Sequence, residues 1–230
     1  MDAWTSFKLF ISEYTGFNID IIITWFPIFL KAAGVTLGIS AAGIVFGTIL
    51  GLFIGLGKLS SIRLIRLPFE LYVTIFRGTP MLVQMLFIHF GIMQKMGFNP
   101  ITSAAVTLTL NAGAYIAEIF RAGIQSIDKG QMEAARSLGM TKVQAMKDII
   151  LPQAFKRMIP PLGNESIILL KDSSVAMVIA VPEITYYSRL AQSNTFSVAE
   201  PYLMAAVFYL IFTISLSKLV SYLERRLDTG

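Results

Sequence analysis

The stretch AAGVTLGISAAGIVFGTILGLFIGL, Ala32 to Leu56, decides the fold, because 25 residues pass without one ionisable side chain. A helix rises about 1.5 Å per residue and the hydrocarbon of a bilayer is about 30 Å thick, so about 20 such residues cross it. Gly43, Gly47, Gly51 and Gly55 recur within the run at four-residue intervals. That period lines bare backbone along one helix face and lets a second helix approach closely. The rest of the 230-residue chain has the same character: 55% of residues are apolar, 14% are charged, and the mean hydropathy is +0.67. Soluble domains carry about 25% charged residues. The expectation is an all-α, polytopic membrane protein.

Apolar stretches bounded by charges or by Pro and Gly give about five spans, near 21–56, 62–96, 100–122, 153–181 and 199–223, in one domain over 1–230. Arg77-Gly78-Thr79-Pro80 marks a kink in the second. Lys and Arg are distributed unevenly over the connections. Three follow the first span (Lys58, Arg63, Arg66), seven lie between Arg121 and Arg157, and three end the chain (Lys218, Arg225, Arg226), against Lys8, Lys31, Lys95 and Arg189 on the other side. The positive-inside rule then puts segment 126–152 and the C-terminus in the cytoplasm and the N-terminus outside. Trp4, Trp25, Tyr186 and Tyr187 suit the bilayer interface. The acidic start, without a basic leader, is not that of a cleavable signal peptide.

Composition excludes several functions. With no cysteine and one histidine, His89, the chain has neither a thiolate nor a multi-histidine metal site. A net charge of +5 would suit nucleic acid, but the basic residues cluster between spans and report topology instead. Gly51 and Gly57-Lys58 imitate a phosphate-binding loop, yet five residues intervene where four are needed, and Leu59 stands where Ser or Thr belongs. Any ATP chemistry must come from another polypeptide, and no cofactor is expected on this one. Ser173 has neither a histidine nor a well-placed lysine to activate it, since Lys171 lies two residues away on a different face, which argues against a hydrolase.

Segment 126–152 is mixed in polarity with a helical period and its own punctuation. Asp128 with Gln131, and Thr141 with Gln144, read as two helix starts, Gly139 as the stop between them, and Pro152 as the first turn of the next span. Met132, Ala135 and Leu138 lie along one face of the first short helix, and Val143, Met146 and Ile150 along one face of the second. Here the sequence resembles a known family. Glu133-Ala134-Ala135, three residues, Gly139, nine residues, then Ile149-x-Leu151-Pro152 is similar to the EAA loop of ABC importer permeases. The run from Asn111 through Ala114-Tyr115, Ala117-Glu118-Ile119 and Arg121-Ala122-Gly123-Ile124-Gln125, with Arg77-Gly78-Thr79-Pro80, resembles the polar amino acid branch, and the likeness covers about residues 20–225. The resemblance implies a type I importer-like permease in a bacterial cytoplasmic membrane. It also implies a second, identical or related permease, two ATPase subunits carrying ATP and Mg, and an extracytoplasmic solute-binding protein. The contact with the ATPase would lie in residues 128–145, through Gly130, Glu133, Ala134, Ala135, Arg136, Ser137, Leu138, Gly139 and Met140.

An ionisable group at bilayer depth costs at least a few kcal/mol, so each one marks a pathway or a partner. Arg77, Glu165, Lys171 and Asp172 are such groups. Glu165 and Asp172, seven apart, share a helix face; Lys171 and Ser174 lie on an adjacent one, with Ser173 beside them. Pro160, Pro161 and Gly163 read as an interrupted helix of the kind that lines transporter sites. On the third span Thr107, Asn111, Glu118 and Gln125 form a stripe edged by Tyr115; Glu118 is placed to pair with Arg121, and Arg77 with Glu70. Asn111, Glu165, Lys171, Asp172, Ser173 and Ser174, with Arg77, Thr79 and Tyr115, are therefore the candidate substrate residues. Carboxylates suit an α-ammonium and donors an α-carboxylate, which fits a free amino acid. Two carboxylates lean the pocket toward arginine, lysine or histidine unless Lys171 neutralises Asp172. A glutamine, glutamate or cystine permease is the alternative within the family, and an ion-gradient secondary transporter the alternative outside it. His89 reads as a hydrogen-bonded packing residue.

Overall fold

The computed structural model describes Thr5, Ser6, Lys8 and residues 16–227; Trp4 lies outside the described residues. All regular elements among these are helical. The long apolar run sits inside α1, Ile19–Lys58, which opens with the Asn18 side chain accepting from the Asp20 N–H at 3.0 Å. Its 40 residues make about 60 Å of helix, twice the hydrocarbon thickness, so its ends reach well past the apolar layer. After α2, Arg63–Gly78, the chain breaks at Thr79-Pro80 and resumes as α3, Met81–Leu86, which continues through a π turn, Phe87–Met93, and a 3-10 turn, Gln94–Met96. The chain bends by 108° between the two arms. The second span is thus two helices at a sharp corner. The physical cause is local: Pro80 lacks the N–H that would continue α2, and it drives Thr79 to an extended backbone.

α4, Pro100–Gln125, runs against α1. The glycine ladder is the contact. A Cβ built on Gly43 would lie 3.0 Å from Leu108 Cβ, on Gly47 2.8 Å from Ala112 Cβ, on Gly51 2.7 Å from Ile116 Cβ, and on Gly55 3.1 Å from Phe120 Cβ. Each four-residue step of α1 therefore matches one step of α4. Leu108, Ala112 and Ile116 continue into the main apolar core with Leu169 and Met158.

Two short helices come next, α5, Lys129–Ser137, and α6, Lys142–Ala145, the latter running through a π turn, Met146–Ile150, into α7, Leu151–Asp172. α7 passes straight through Pro160 and Pro161, which corrects the expected interruption there. Proline's fixed φ is itself helical, and neighbouring helices hold such a segment in membrane proteins. Gly163 marks a close crossing instead, since a Cβ on it would come 2.3 Å from Val220 of the last helix. The departure from α-helix comes later, at the 3-10 turn Ser173–Ile179 and at Ala180, with φ of 60°. α8, Ile184–Thr195, and α9, Ala199–Leu227, complete the described chain.

Among the described residues, α1, α4 and α9 are long and apolar enough to cross a membrane, and the bent pair α2/α3 makes a fourth crossing if counted as one span. α7 is 22 residues long but carries Lys156, Arg157, Glu165, Lys171 and Asp172. The count of five spans therefore rests on α7 being shielded from lipid by its neighbours. His89 is buried, with Nδ1 2.9 Å from Ser103 Oγ, as a packing residue should be.

Candidate functional site

The corner between α2 and α3, the middle of α4 and the second half of α7 converge on a cavity of about 280 Å³. Its walls are Thr79, Pro80 and Met81 from the corner, Asn111 and Tyr115 from α4, and Glu165, Ile168 and Asp172 from α7. Five of the residues expected at the substrate site, Thr79, Asn111, Tyr115, Glu165 and Asp172, thus come from three separate elements to one place. A second cavity of about 480 Å³ adjoins it, sharing Tyr115 and Glu165 and continuing past Arg77, Glu118, Gly123, Ser126 and Arg157. Lys171, Ser173 and Ser174 line neither cavity. Lys171 is exposed, and Ser173 is fully buried with its hydroxyl donating to the Leu170 carbonyl at 2.7 Å. Lys171 lies on the neighbouring face of α7, about 100° around the helix from Asp172. Ser173 and Ser174 stand apart because α7 ends at Asp172 and the 3-10 turn carries them away from its cavity face.

Arg77 lines the larger cavity. Its guanidinium carbon lies 5.2 Å from the Tyr115 ring centroid, and Nη1 is 4.0 Å from Glu118 Oε2. The expected partner, Glu70, instead takes Arg66 at 3.0 Å, because that pair is one helical turn apart. Glu118 does pair with Arg121, at 2.8 Å, and also accepts from Lys58 at the end of α1. One carboxylate therefore ties the ends of α1 and α2 to α4. Arg157 Nη1 donates to the Ser126 carbonyl at 2.6 Å and fastens the end of α4 to α7.

Gln84 was not among the expected residues. It is 7% exposed, just beyond the corner, and its amide nitrogen donates to the carbonyls of Phe76 (2.8 Å) and Thr79 (3.0 Å) and to Thr79 Oγ1 (2.9 Å). Its oxygen accepts from Asn111 Nδ2 at 2.9 Å. A lone amide in the run Met81 to Leu86 was the sequence signal.

Beyond Ser126 lies the short-helix pair. Asp128 caps α5 by accepting from the Gly130 N–H at 2.7 Å, and a Cβ at Gly130 would sit 2.7 Å from Asp128 Oδ1, so a larger residue there would shift the capping side chain. Arg136 donates to the Met140 carbonyl at 2.7 Å across the turn, Ser137 donates back to Glu133 O at 3.0 Å, and Thr141 with Gln144 form a reciprocal cap on α6. Gly139 turns the chain at φ of 87°. Met132, Ala135, Met146 and Ile150 pack inward, whereas Leu138 and Val143, expected to share their faces, are 84% and 76% exposed. Leu138 is the last residue before the left-handed turn and Val143 lies in the first turn of α6, so both point away from the bundle. Together with Glu133, Ala134 and Arg136 they form an exposed, partly apolar tip.

A family model described as the binding-protein-dependent transport system inner membrane component matches residues 34–229. The arginine transport system permease protein ArtQ of Bacillus subtilis is 37% identical over 206 residues, 89% of this chain and 94% of that one. The glutamine transport system permease protein GlnP of Escherichia coli is 39% identical over 206 residues, 87% and 93% of the two chains. A crystal structure of an amino acid ABC transporter with histidines superposes with a TM-score of 0.84 at 44% identity, covering 89% of this chain and 96% of that one. Such a component is the permease subunit of an amino acid ABC transporter, in which ATP hydrolysis belongs to a separate subunit. This chain belongs to the family of binding-protein-dependent transport system inner membrane components.

Proposed function

We propose that the chain is the permease subunit of an ATP-driven importer of polar amino acids, with a preference for cationic ones. The observation that carries this reading is the cavity in which Asn111, Glu165 and Asp172 meet. At about 280 Å³ it is near the lower end of ligand pockets, which suits a single small solute. Two carboxylates and an amide favour an ammonium, while Arg77 at the neighbouring cavity is a donor for a carboxylate. Because Lys171 is exposed outside the cavity, Asp172 remains available to a cationic side chain. ArtQ and GlnP are named for a cationic and a neutral amino acid respectively, so it is the cavity charge that supports the finer assignment.

The shared wall of Tyr115 and Glu165 makes the two cavities successive stages of one path. The path ends beside Ser126 and Arg157, close to the short-helix pair. In this reading the basic end lies in the cytoplasm of a bacterium, and the tip of α5 and α6 seats on a separate ATPase subunit, where Leu138 and Val143 fill an apolar depression and Glu133 and Arg136 meet rim charges. A second permease, identical or related, two ATPases and a solute-binding protein complete the assembly. Closure of the ATPases shifts the short helices, and the Arg157 and Glu118 ties carry that shift to α7, α2 and α1.

Asp172→Asn tests the charge reading. It keeps shape and removes charge, so in reconstituted vesicles arginine uptake should fall about tenfold and glutamine uptake by no more than about twofold, the size expected of one charge-assisted contact. Equal losses for both would remove the preference for cationic substrates.

A further inference from the structure

Gln84 contacts the substrate cavity only through another residue, and we infer that it is a positioning residue: it fixes the polarity of the Asn111 amide so that an oxygen, not an NH2, faces the α-ammonium of an amino acid. The inference rests on the amino acid reading of the cavity and adds to it the way the fold selects a donor-bearing ligand.

Backbone chemistry decides the orientation. The carbonyls of Phe76 and Thr79 can only accept, so the Gln84 group 2.8 and 3.0 Å from them is the nitrogen. Thr79 agrees, since its hydroxyl donates to Ile75 O at 2.8 Å and can therefore accept from Gln84. These carbonyls lie at the broken end of α2, where Pro80 has no N–H to donate to Phe76 and Thr79 has already left the helix. Gln84 must thus turn its oxygen to Asn111, and an oxygen there accepts only from Asn111 Nδ2, at 2.9 Å. The carbonyl of the Asn111 amide is then the end turned away from Gln84, toward the cavity that Asn111 lines. Both amides are at most 7% exposed, so flipping either would bury an acceptor against an acceptor at a cost of about 1–3 kcal/mol. With Glu165 and Asp172 lining the same cavity, and the Thr79 hydroxyl hydrogen already committed, the cavity presents acceptors. The α-ammonium is the donor common to cationic and neutral amino acids, so an orientation set by the corner itself serves every such substrate.

The test is equilibrium binding to the detergent-purified permease with its ATPase subunit and without binding protein. The probes are L-arginine and its des-amino analogue, in which hydrogen replaces the α-ammonium. The native complex should prefer L-arginine at least about tenfold, and Gln84→Met should shrink that preference to within about twofold. Gln84→Glu discriminates between positioning and mere support of the corner. Buried against two carbonyls the new carboxyl is held neutral, so it gives the corner one O–H donor in place of the amide's two and still offers Asn111 an oxygen, and it should keep the preference. Asn111→Leu, which removes the amide oxygen itself, should shrink the preference as Gln84→Met does, and this variant carries the test if Gln84→Met does not fold. Loss of the preference in Gln84→Glu as in Gln84→Met, its retention in both, or its retention in Asn111→Leu overturns the inference while leaving the cavity as the amino acid site. A native complex that binds neither probe overturns the cavity reading and the inference with it.

Discussion

Gly51→Val should lower the unfolding free energy of the purified permease by about 3 kcal/mol, at the upper end of what overpacking a close contact costs, or prevent its accumulation in the membrane. A Cβ at this position would lie 2.7 Å from both Cβ and Cγ2 of Ile116 and 3.0 Å from the Gly113 carbonyl, and none of these atoms is the far end of a flexible side chain. α1 would have to lift from α4 along the whole ladder, since its steps are in register. Gly38 is the matched control. Nothing lies within 4 Å of a Cβ built on it, so Gly38→Ala should be neutral or stabilise by up to about 1 kcal/mol through helix propensity alone. Thermal unfolding in detergent measures both; a Gly51→Val protein as stable as the native one would show that the ladder is not the seat of the α1–α4 contact.

Gly139→Val should reduce ATP-driven uptake at least about tenfold in a protein that still inserts. Here the cause is conformational and not steric, because no atom lies within 4 Å of an added Cβ while φ is 87°. A left-handed backbone costs a residue with a Cβ about 1–2 kcal/mol and a β-branched one more, so the turn would open and the exposed pair Leu138 and Val143 would lose its fixed spacing. Asn visits this region readily, so Gly139→Asn should retain most of the uptake. Uptake by both variants in vesicles, with ATPase binding measured in parallel, separates the outcomes; full transport by the valine variant would dissociate the turn from coupling.

Much of this architecture was legible because it depends on local rules. Residue spacing gave the glycine ladder, capping chemistry the two short helices, and one-turn distance the Glu118–Arg121 pair, and each is present in the structure. The features that were not legible depend on where distant segments meet. Lys58 reaches Glu118 only because α1 and α4 are in register, and nothing near either residue announces it. The kink at Arg77-Gly78-Thr79-Pro80 was visible, but its 108° angle is set by the packing on each arm, and the role of Gln84 arises from that corner. Pro160 and Pro161 show the opposite error, a local rule overridden by the bundle, which keeps α7 continuous. Leu138 and Val143 satisfied a helical period yet face outward, because one is the last residue before the turn at Gly139 and the other lies in the first turn after it. Within the site, the shared face of Glu165 and Asp172 was readable from their spacing, whereas the departure of Ser173 and Ser174 from the cavity required knowing where α7 stops.

The most direct test of the central claim is uptake of arginine, lysine, histidine, glutamine and glutamate into proteoliposomes holding the permease with its ATPase subunit and binding protein, with and without ATP on the ATPase side. The account predicts uptake that requires ATP and is greatest for arginine or lysine. Uptake that proceeds without ATP and tracks an imposed ion gradient would contradict it.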